Sequence, residues 1–354
     1  MRFIISLILL LITTYSFAQN DSLKSFKVTG YVESYYSYDL ANPSNHEKPD
    51  FNYNYKKHNQ LNVNLAFVKA SYQSHRFRSN LALMTGNYAM YNLSAEPIWA
   101  KPLMEANIGY KPFDKHNIWI DAGVMPSHIG FESAVGSDCW NLTRSILAEN
   151  SPYYESGIKL NYTNQKQNLY LAFHVLNGWQ KMEFSNKQLN PSMGVQVNYK
   201  PNNSITLNYS NFIGNINVDS INALRIFHNL YAIYDASPQL SFLFGFDMGT
   251  QKKAGTKTAI WYTPVFISKI NLTEKSKLAG RVEYYSDQQQ VIIPTSTPNG
   301  YQTFGASVNY DYQITPNILW RAEVKKYSSK EAIFSYNQNS NQQNTITTAL
   351  IVKL

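Results

Sequence analysis

Arg281 with Glu283, and Arg321 with Glu323, repeat one spacing: an arginine, one intervening residue, a glutamate. Residues two apart in an extended chain share a face, so each pair puts both charges on one side of a strand. Such pairs either neutralise each other and stiffen a wall, or set up a transverse field that orients polar solutes. The same face of other segments carries Lys27, Glu33, Arg78, Glu105, Asp121, Lys159, Asp247, Lys269, Lys325 and Lys353. Nothing in this set reads as catalytic machinery. The seven histidines include no H-E-x-x-H or similar metal-ligand spacing. Neither His174 nor His228 stands with a nucleophile and an orienting third group, and no phosphate-cradling glycine loop is present. No lysine and arginine cluster forms a nucleic-acid footprint. The expectation is no catalytic residue, no metal, no cofactor and no nucleic-acid partner.

The elements that position these charges are strands. From Phe26 onward apolar residues recur at every second position in segments of about ten residues, which is strand rather than helix periodicity. Leu61, Val63, Leu65 and Phe67 alternate with Gln60, Asn62, Asn64 and Ala66; Leu240, Phe242, Phe244 and Phe246 stand against Ser241, Gly245 and Asp247. The same alternation runs through Leu169, Leu171, Phe173 and Val175, and through the last segment to Leu354. Connections of two kinds take turns. Short ones rich in Pro, Asn, Asp and Ser fall at 73–76, 112–115, 164–167, 201–203, 235–238, 273–276 and 314–317, where turn chemistry favours them. Longer polar ones fall at 40–58, 89–101, 126–155, 179–191, 215–222, 250–257, 288–300 and 328–343.

This alternation predicts an all-β, antiparallel, up-and-down meander of about sixteen strands with both chain ends on the short-turn side. An open sheet rarely exceeds about ten strands without curling or splitting. Closure removes both edges and, in lipid, satisfies every backbone group. A transmembrane β-barrel with short periplasmic turns and long outer loops is therefore expected. The apolar face would meet lipid. A Lys or Arg at the bilayer midplane costs roughly 2–4 kcal/mol, so charges of both signs gathered on the other face imply a wet lumen. Tyr36, Tyr38, Tyr72, Tyr110, Tyr162, Trp179, Tyr199, Tyr209, Tyr234, Trp261, Tyr284, Tyr312 and Trp320 lie near strand ends, as an interfacial aromatic girdle requires.

The amino terminus gives the compartment. Arg2, the ten-residue apolar region 3–12 and the small-x-small run Ser16-Phe17-Ala18 read as a cleaved secretory signal over 1–18, leaving 19–354 as one barrel. The chain has 354 residues, only 15% of them charged, and its net charge falls from +8 to +7 on losing Arg2. Apart from 3–12 no apolar stretch approaches the roughly 18 residues of a spanning helix. A single cysteine, Cys139, excludes an intramolecular disulfide and a Cys-rich zinc site.

The longest connection, 126–155, is too apolar to be disordered. Ile129, Phe131, Val135, Trp140, Leu142, Ile146 and Leu147 need something to pack on, and Glu132, Asp138, Arg144 and Glu149 are interleaved with them. With those side chains needing a surface to pack on, it is expected to fold into the barrel as a constriction, with Glu132, Asp138, Arg144 and Glu149 as its selectivity residues. A plug or an outward lid is the competing arrangement.

Several segments resemble the OmpL-like β-barrel porin family found in outer membranes of Bacteroidetes. They are residues 30–36 (GYVESYY), 119–123 (WIDAG) leading into 126–134 (PSHIGFESA), 142–145 (LTRS) and 148–155 (AENSPYYE). Further on come 176–180 (LNGWQ), 227–231 (FHNLY), 283–287 (EYYSD) and 297–303 (TPNGYQT). The resemblance covers essentially the whole mature chain. The final residue departs from outer-membrane barrels in general, being Leu354 where Phe is common. What the resemblance implies is an outer-membrane porin for passive diffusion of small hydrophilic solutes or ions, with outer-membrane lipid and lipopolysaccharide as surroundings and a homotrimer as the assembly to test. The alternatives are a closed barrel acting as surface receptor or adhesin through its outer loops and, more remotely, an outer-membrane hydrolase.

Overall fold

The computed structural model describes residues 25–354 apart from 185–189, 219–220, 253–257 and 335–339. The expected leader, 1–18, lies outside the described residues, as do parts of the loops expected at 179–191, 215–222, 250–257 and 328–343. The strands are β1 (Ser25–Asp39), β2 (Leu61–Gln73), β3 (Phe77–Thr85), β4 (Leu103–Tyr110), β5 (Ile118–Pro126), β6 (Tyr154–Thr163), β7 (Leu169–Leu176) and β8 (Ser192–Asn202). They continue as β9 (Ile205–Val218), β10 (Ile221–Asp235), β11 (Leu240–Gln251), β12 (Ala259–Asn271), β13 (Ser276–Asp287), β14 (Tyr301–Thr315), β15 (Ile318–Ser329) and β16 (Gln342–Lys353). Each pairs antiparallel with its sequence neighbours, and β1 pairs with β16, closing a sixteen-stranded barrel. Among the described residues no helix is long and apolar enough to cross a membrane; the strands cross it.

The two faces differ as lipid and lumen require. Val282, Phe304, Val308, Val324, Ile346 and Leu350 are exposed on the outside. The residues between them, including Arg281, Glu283, Ser307, Asn309, Glu323, Lys325 and Thr347, are buried inside. Tyr72, Tyr110, Tyr199, Tyr234, Tyr312 and Trp320 are exposed beside the short turns, where an aromatic ring can stay dry and its polar tip wet. Trp261 and Trp179 are corrections to the expected girdle: Trp261 is buried and both pack inside the barrel, on Phe227.

Three further expectations are corrected. In β2 the apolar set Leu61, Val63, Leu65, Phe67 does not stay on one face. Glu33 pairs with Leu65 and Ser34 with Val63, so Asn64 is a bulge residue that reverses the phase of the strand. Asn64 then turns inward, donating to Glu33 Oε2 (3.0 Å) and accepting from the Tyr55 amide (2.9 Å), and Leu65 is buried. The long loop expected at 215–222 is not observed over its described residues: the two strands stay paired as far as Val218 and Ile221. Finally, the inner face is not polar throughout. Phe212, Phe227, Trp261, Tyr285, Tyr301 and Tyr327, towards the long-loop end, form a buried apolar cluster with Phe51, Ile129, Ile146, Ile293 and Phe334 from the connections.

Candidate functional site

Loop 126–155 leaves β5 and returns in β6 through a narrow root. Gly123 and Gly157 face each other across the two strands at φ of +123° and +154°, conformations L side chains rarely adopt. A Cβ at Gly123 would meet the Ala106 carbonyl oxygen at 2.1 Å. From this root the loop runs inside the barrel, where Ile129, Leu142, Ile146 and Leu147 are buried.

The wall holds it by its backbone. Arg281 Nη1 donates to the Thr143 carbonyl (2.8 Å), while Glu323 accepts from the Thr143 amide (2.5 Å). Glu283 accepts from the Ile146 amide (2.6 Å) and Lys325 Nζ donates to the Arg144 carbonyl (2.9 Å). Arg321 donates to the carbonyls of Gly136 (2.7 Å), Cys139 (3.0 Å) and Trp140 (3.1 Å) while pairing with Asp311 at 2.6 Å. On the far side Asn229 accepts from the Gly130 amide (3.2 Å) and Ser210 donates to the His128 carbonyl (2.7 Å). A buried backbone group without a partner is costly, so these wall side chains let an irregular segment sit in the lumen. Arg281 also contacts Glu132 (3.4 Å), Glu283 (3.3 Å) and Glu323 (3.2 Å). The two Arg-x-Glu pairs are thus not separate units: Arg321 takes Asp311, and Glu323 goes to Arg281.

The four loop residues expected to set selectivity occupy different places. Arg144 is buried and donates to the loop's own carbonyls at Ser133 (2.7 Å), Leu142 (2.8 Å) and Ala134 (3.1 Å). Glu132 accepts from the Ser145 amide (2.9 Å), next to the short helix Ile146–Glu149, whose N-cap is Ser145. Glu149 reaches the first outer loop, accepting from the amides of Tyr53 (2.8 Å) and Asn54 (3.2 Å); burial pushes its carboxyl above the ordinary value, partly offset by the Tyr53 amide. Asp138 alone of the four is open, its side chain 57% exposed and 3.8 Å from Lys353.

The nine expected wall residues fall into three groups. Arg281, Glu283, Arg321 and Glu323 lie under the loop. Asp247 is buried, accepting from Asn229 at 2.5 Å, and Lys269 lies over the Trp140 ring at 4.3 Å. Arg78, Glu105 and Lys159 line a cavity of about 320 Å³ with Asn80, Asn107, Asp121 and Asn161. There Arg78 grips Asp121 at 2.6 and 2.5 Å, and Lys69 pairs with Glu105 at 2.6 Å. Beside it a larger space of about 780 Å³ lies between this wall and the loop, reaching Lys27 and Leu354 at the short-turn end.

Sequence reasoning missed Arg225, whose strand alternates ambiguously because its inward neighbours are aromatic. Its guanidinium lies 4.8 Å from the Trp179 ring and 5.5 Å from that of Trp261. It also missed Asp311, and a buried group of His128, Glu155 and His174 that could hold a metal ion. The expectation of no metal rested on sequence spacing, and these three are brought together only by the fold.

A closed barrel that carries its third long loop inside a charged lumen is the architecture of an outer-membrane porin. The chain belongs to the family described as putative beta-barrel porin-2, OmpL-like, whose model matches residues 25–354. It is a multi-pass outer-membrane channel protein rather than an enzyme. Among solved structures it is similar to an anion-selective porin from Comamonas acidovorans, with 8% identity, 94% of this chain and 100% of that chain covered, and a TM-score of 0.65. The outer membrane channel DcaP of Acinetobacter baumannii matches with 10% identity, 95% and 99% coverage and a TM-score of 0.60. OmpT of Vibrio cholerae in its trimer form matches with 8% identity, 94% and 100% coverage and a TM-score of 0.59. No curated protein matches the chain.

Proposed function

We propose that this porin passes small hydrophilic solutes along the wall formed by β2 to β6, and that loop 126–155 is the element that limits the flow. The observation that supports this is an asymmetry of solvation. The side chains of Arg78, Lys69 and Lys159 keep 29%, 26% and 20% of their exposure, whereas those of Arg281 and Arg321 keep 0%. Charges that remain wet can exchange with ions; charges committed to loop carbonyls cannot. Reversal potentials under a salt gradient test this. Lys159→Gln should shift the potential towards cation preference, whereas a lysine substituted outside the barrel should not. An unshifted potential in Lys159→Gln would remove this wall from the path.

The proposal includes assembly of three copies in a lipopolysaccharide-bearing membrane, read by cross-linking of the native protein. A second reading is favoured by the apolar cluster of Phe51, Ile293, Tyr301 and Tyr327 in the lumen: a closed barrel acting as receptor or adhesin through its outer loops. That reading expects a folded barrel without conductance and binding lost on shaving the loops.

A further inference from the structure

At the root of the lumen loop three side chains that the channel reading does not use converge. His128 lies just past β5, Glu155 in β6 and His174 in β7, and all three are buried. One donor atom from each lies within 4.8 Å of the other two. His128 Nδ1 is 2.6 Å from Glu155 Oε2, His174 Nδ1 is 2.7 Å from Glu155 Oε1, and the imidazoles stack with centroids 4.0 Å apart.

A carboxylate taken out of water is costly unless it is paired or coordinates a metal. Among the described residues the only ion-pair partners of Glu155 are the two imidazoles, so its counter-charge is either a proton on a ring or a bound metal ion. Two details favour the ion. His128 Nε2 lies 2.8 Å from the Asn211 carbonyl, so in the neutral ring the proton is on Nε2 and Nδ1 turns its lone pair to the cluster. A backbone carbonyl that orients a ligating histidine in this way is the usual outer-shell arrangement. His174 Nε2 is buried with no protein partner, so this ring can present either nitrogen to an ion without giving up a second bond.

We propose that His128, Glu155 and His174 form a binding site for one divalent transition-metal ion of the zinc class, which clamps the root of loop 126–155 to β6 and β7. Two histidines and one glutamate are a donor set that zinc accepts, with donors about 2.0–2.2 Å from the metal and a fourth position left for water.

The test uses the refolded mature barrel stripped with chelator, Co²⁺ as a visible-absorption probe and Zn²⁺ as its competitor. The expected result is one Co²⁺ per chain with a tetrahedral spectrum, displaced by Zn²⁺. It should be lost in His128→Ala and His174→Ala, weakened by more than an order of magnitude in Glu155→Gln, and kept in His75→Ala, whose histidine is half-exposed in a short turn. Heat-modifiable migration shows that each variant is folded. Binding that survives both histidine substitutions would mean an adventitious ion only. Absence of binding to the folded wild type would assign the counter-charge to a proton and overturn the site. Neither result depends on conductance, so failure here leaves the proposed solute path standing.

Discussion

Arg321 in β15 holds Asp311 in β14 through Nε at 2.6 Å and Nη2 at 3.0 Å, and with its remaining N–H groups caps three carbonyls of the lumen loop. One side chain therefore satisfies a buried carboxylate and an irregular backbone together. Removing one partner of a buried ion pair costs about 3–5 kcal/mol, because the other is left uncompensated. The loop itself loses hydrogen bonds to a charged group, each of about 1.5–3 kcal/mol, so Arg321→Met should weaken docking of the loop by at least that order while the β-sheet closes as before. Limited proteolysis within 126–155 under conditions that keep the barrel folded should show faster cleavage, and an unchanged cleavage rate would mean that the arginine does not fasten the loop.

Cys139 reports on the same contact without cutting the chain. Its thiol is buried, with the amide of Ser133 donating to Sγ at 3.2 Å, and burial pushes its pKa up to about 11. At pH 8 the reactive thiolate is scarce as well as covered. Maleimide labelling of the folded wild type should be slow, and Arg321→Met should accelerate it. Equal labelling rates would count against a released loop.

Gly245 in β11 makes room for the loop, since a Cβ there would meet Cε1 of Phe131 at 2.3 Å. Gly245→Val should expel Phe131 from the wall and raise Cys139 labelling. Gly280→Ala is the control, because its Cβ would find only Ser268 Oγ at 3.6 Å. If both substitutions behave alike, the packing of Phe131 does not anchor the loop.

The first outer loop should dock more tightly at alkaline pH. Burial, and then the like charge of Lys325, push Lys48 from its ordinary 10.5 down to about 7. The docked form thus holds fewer protons than the undocked form between those values, so docking strengthens as pH rises through this window. Below about pH 7 the penalty of a buried ammonium is fully present. Amide exchange across 40–60 should be slower at pH 9 than at pH 6 after correction for intrinsic rates, and Lys48→Met should remove that difference. Glu149 acts in the opposite sense, its carboxyl raised by burial, so the lysine variant isolates the effect.

Much of the barrel could be read from the chain because lipid on one side enforces a period of two. That is why Val282, Val308, Val324 and Leu350 point outward as their alternation requires. The reading failed where the inner face is itself apolar: with Phe227 and Tyr231 inward and Ile226 and Leu230 opposite them, no contrast marked the strand that carries Arg225. It failed again at Asn64, where one extra residue reverses the phase. The charges of the lumen were legible as wall residues, but their partners were not. Arg321 meets the backbone carbonyls of Gly136, Cys139 and Trp140, and a carbonyl leaves no signature in sequence. His128 and His174 lie 27 and 19 residues from Glu155, too far apart for any local motif.

Loop 126–155, held by β13 to β15, is proposed to limit flow through this porin. Single-channel recording of the wild type beside a variant with residues 131–147 replaced by a short glycine-serine linker tests it most directly. The structure predicts small ohmic steps in the wild type and clearly larger ones in the shortened variant, with both proteins heat-modifiable and therefore folded. Steps of equal size would show that the loop does not limit flow.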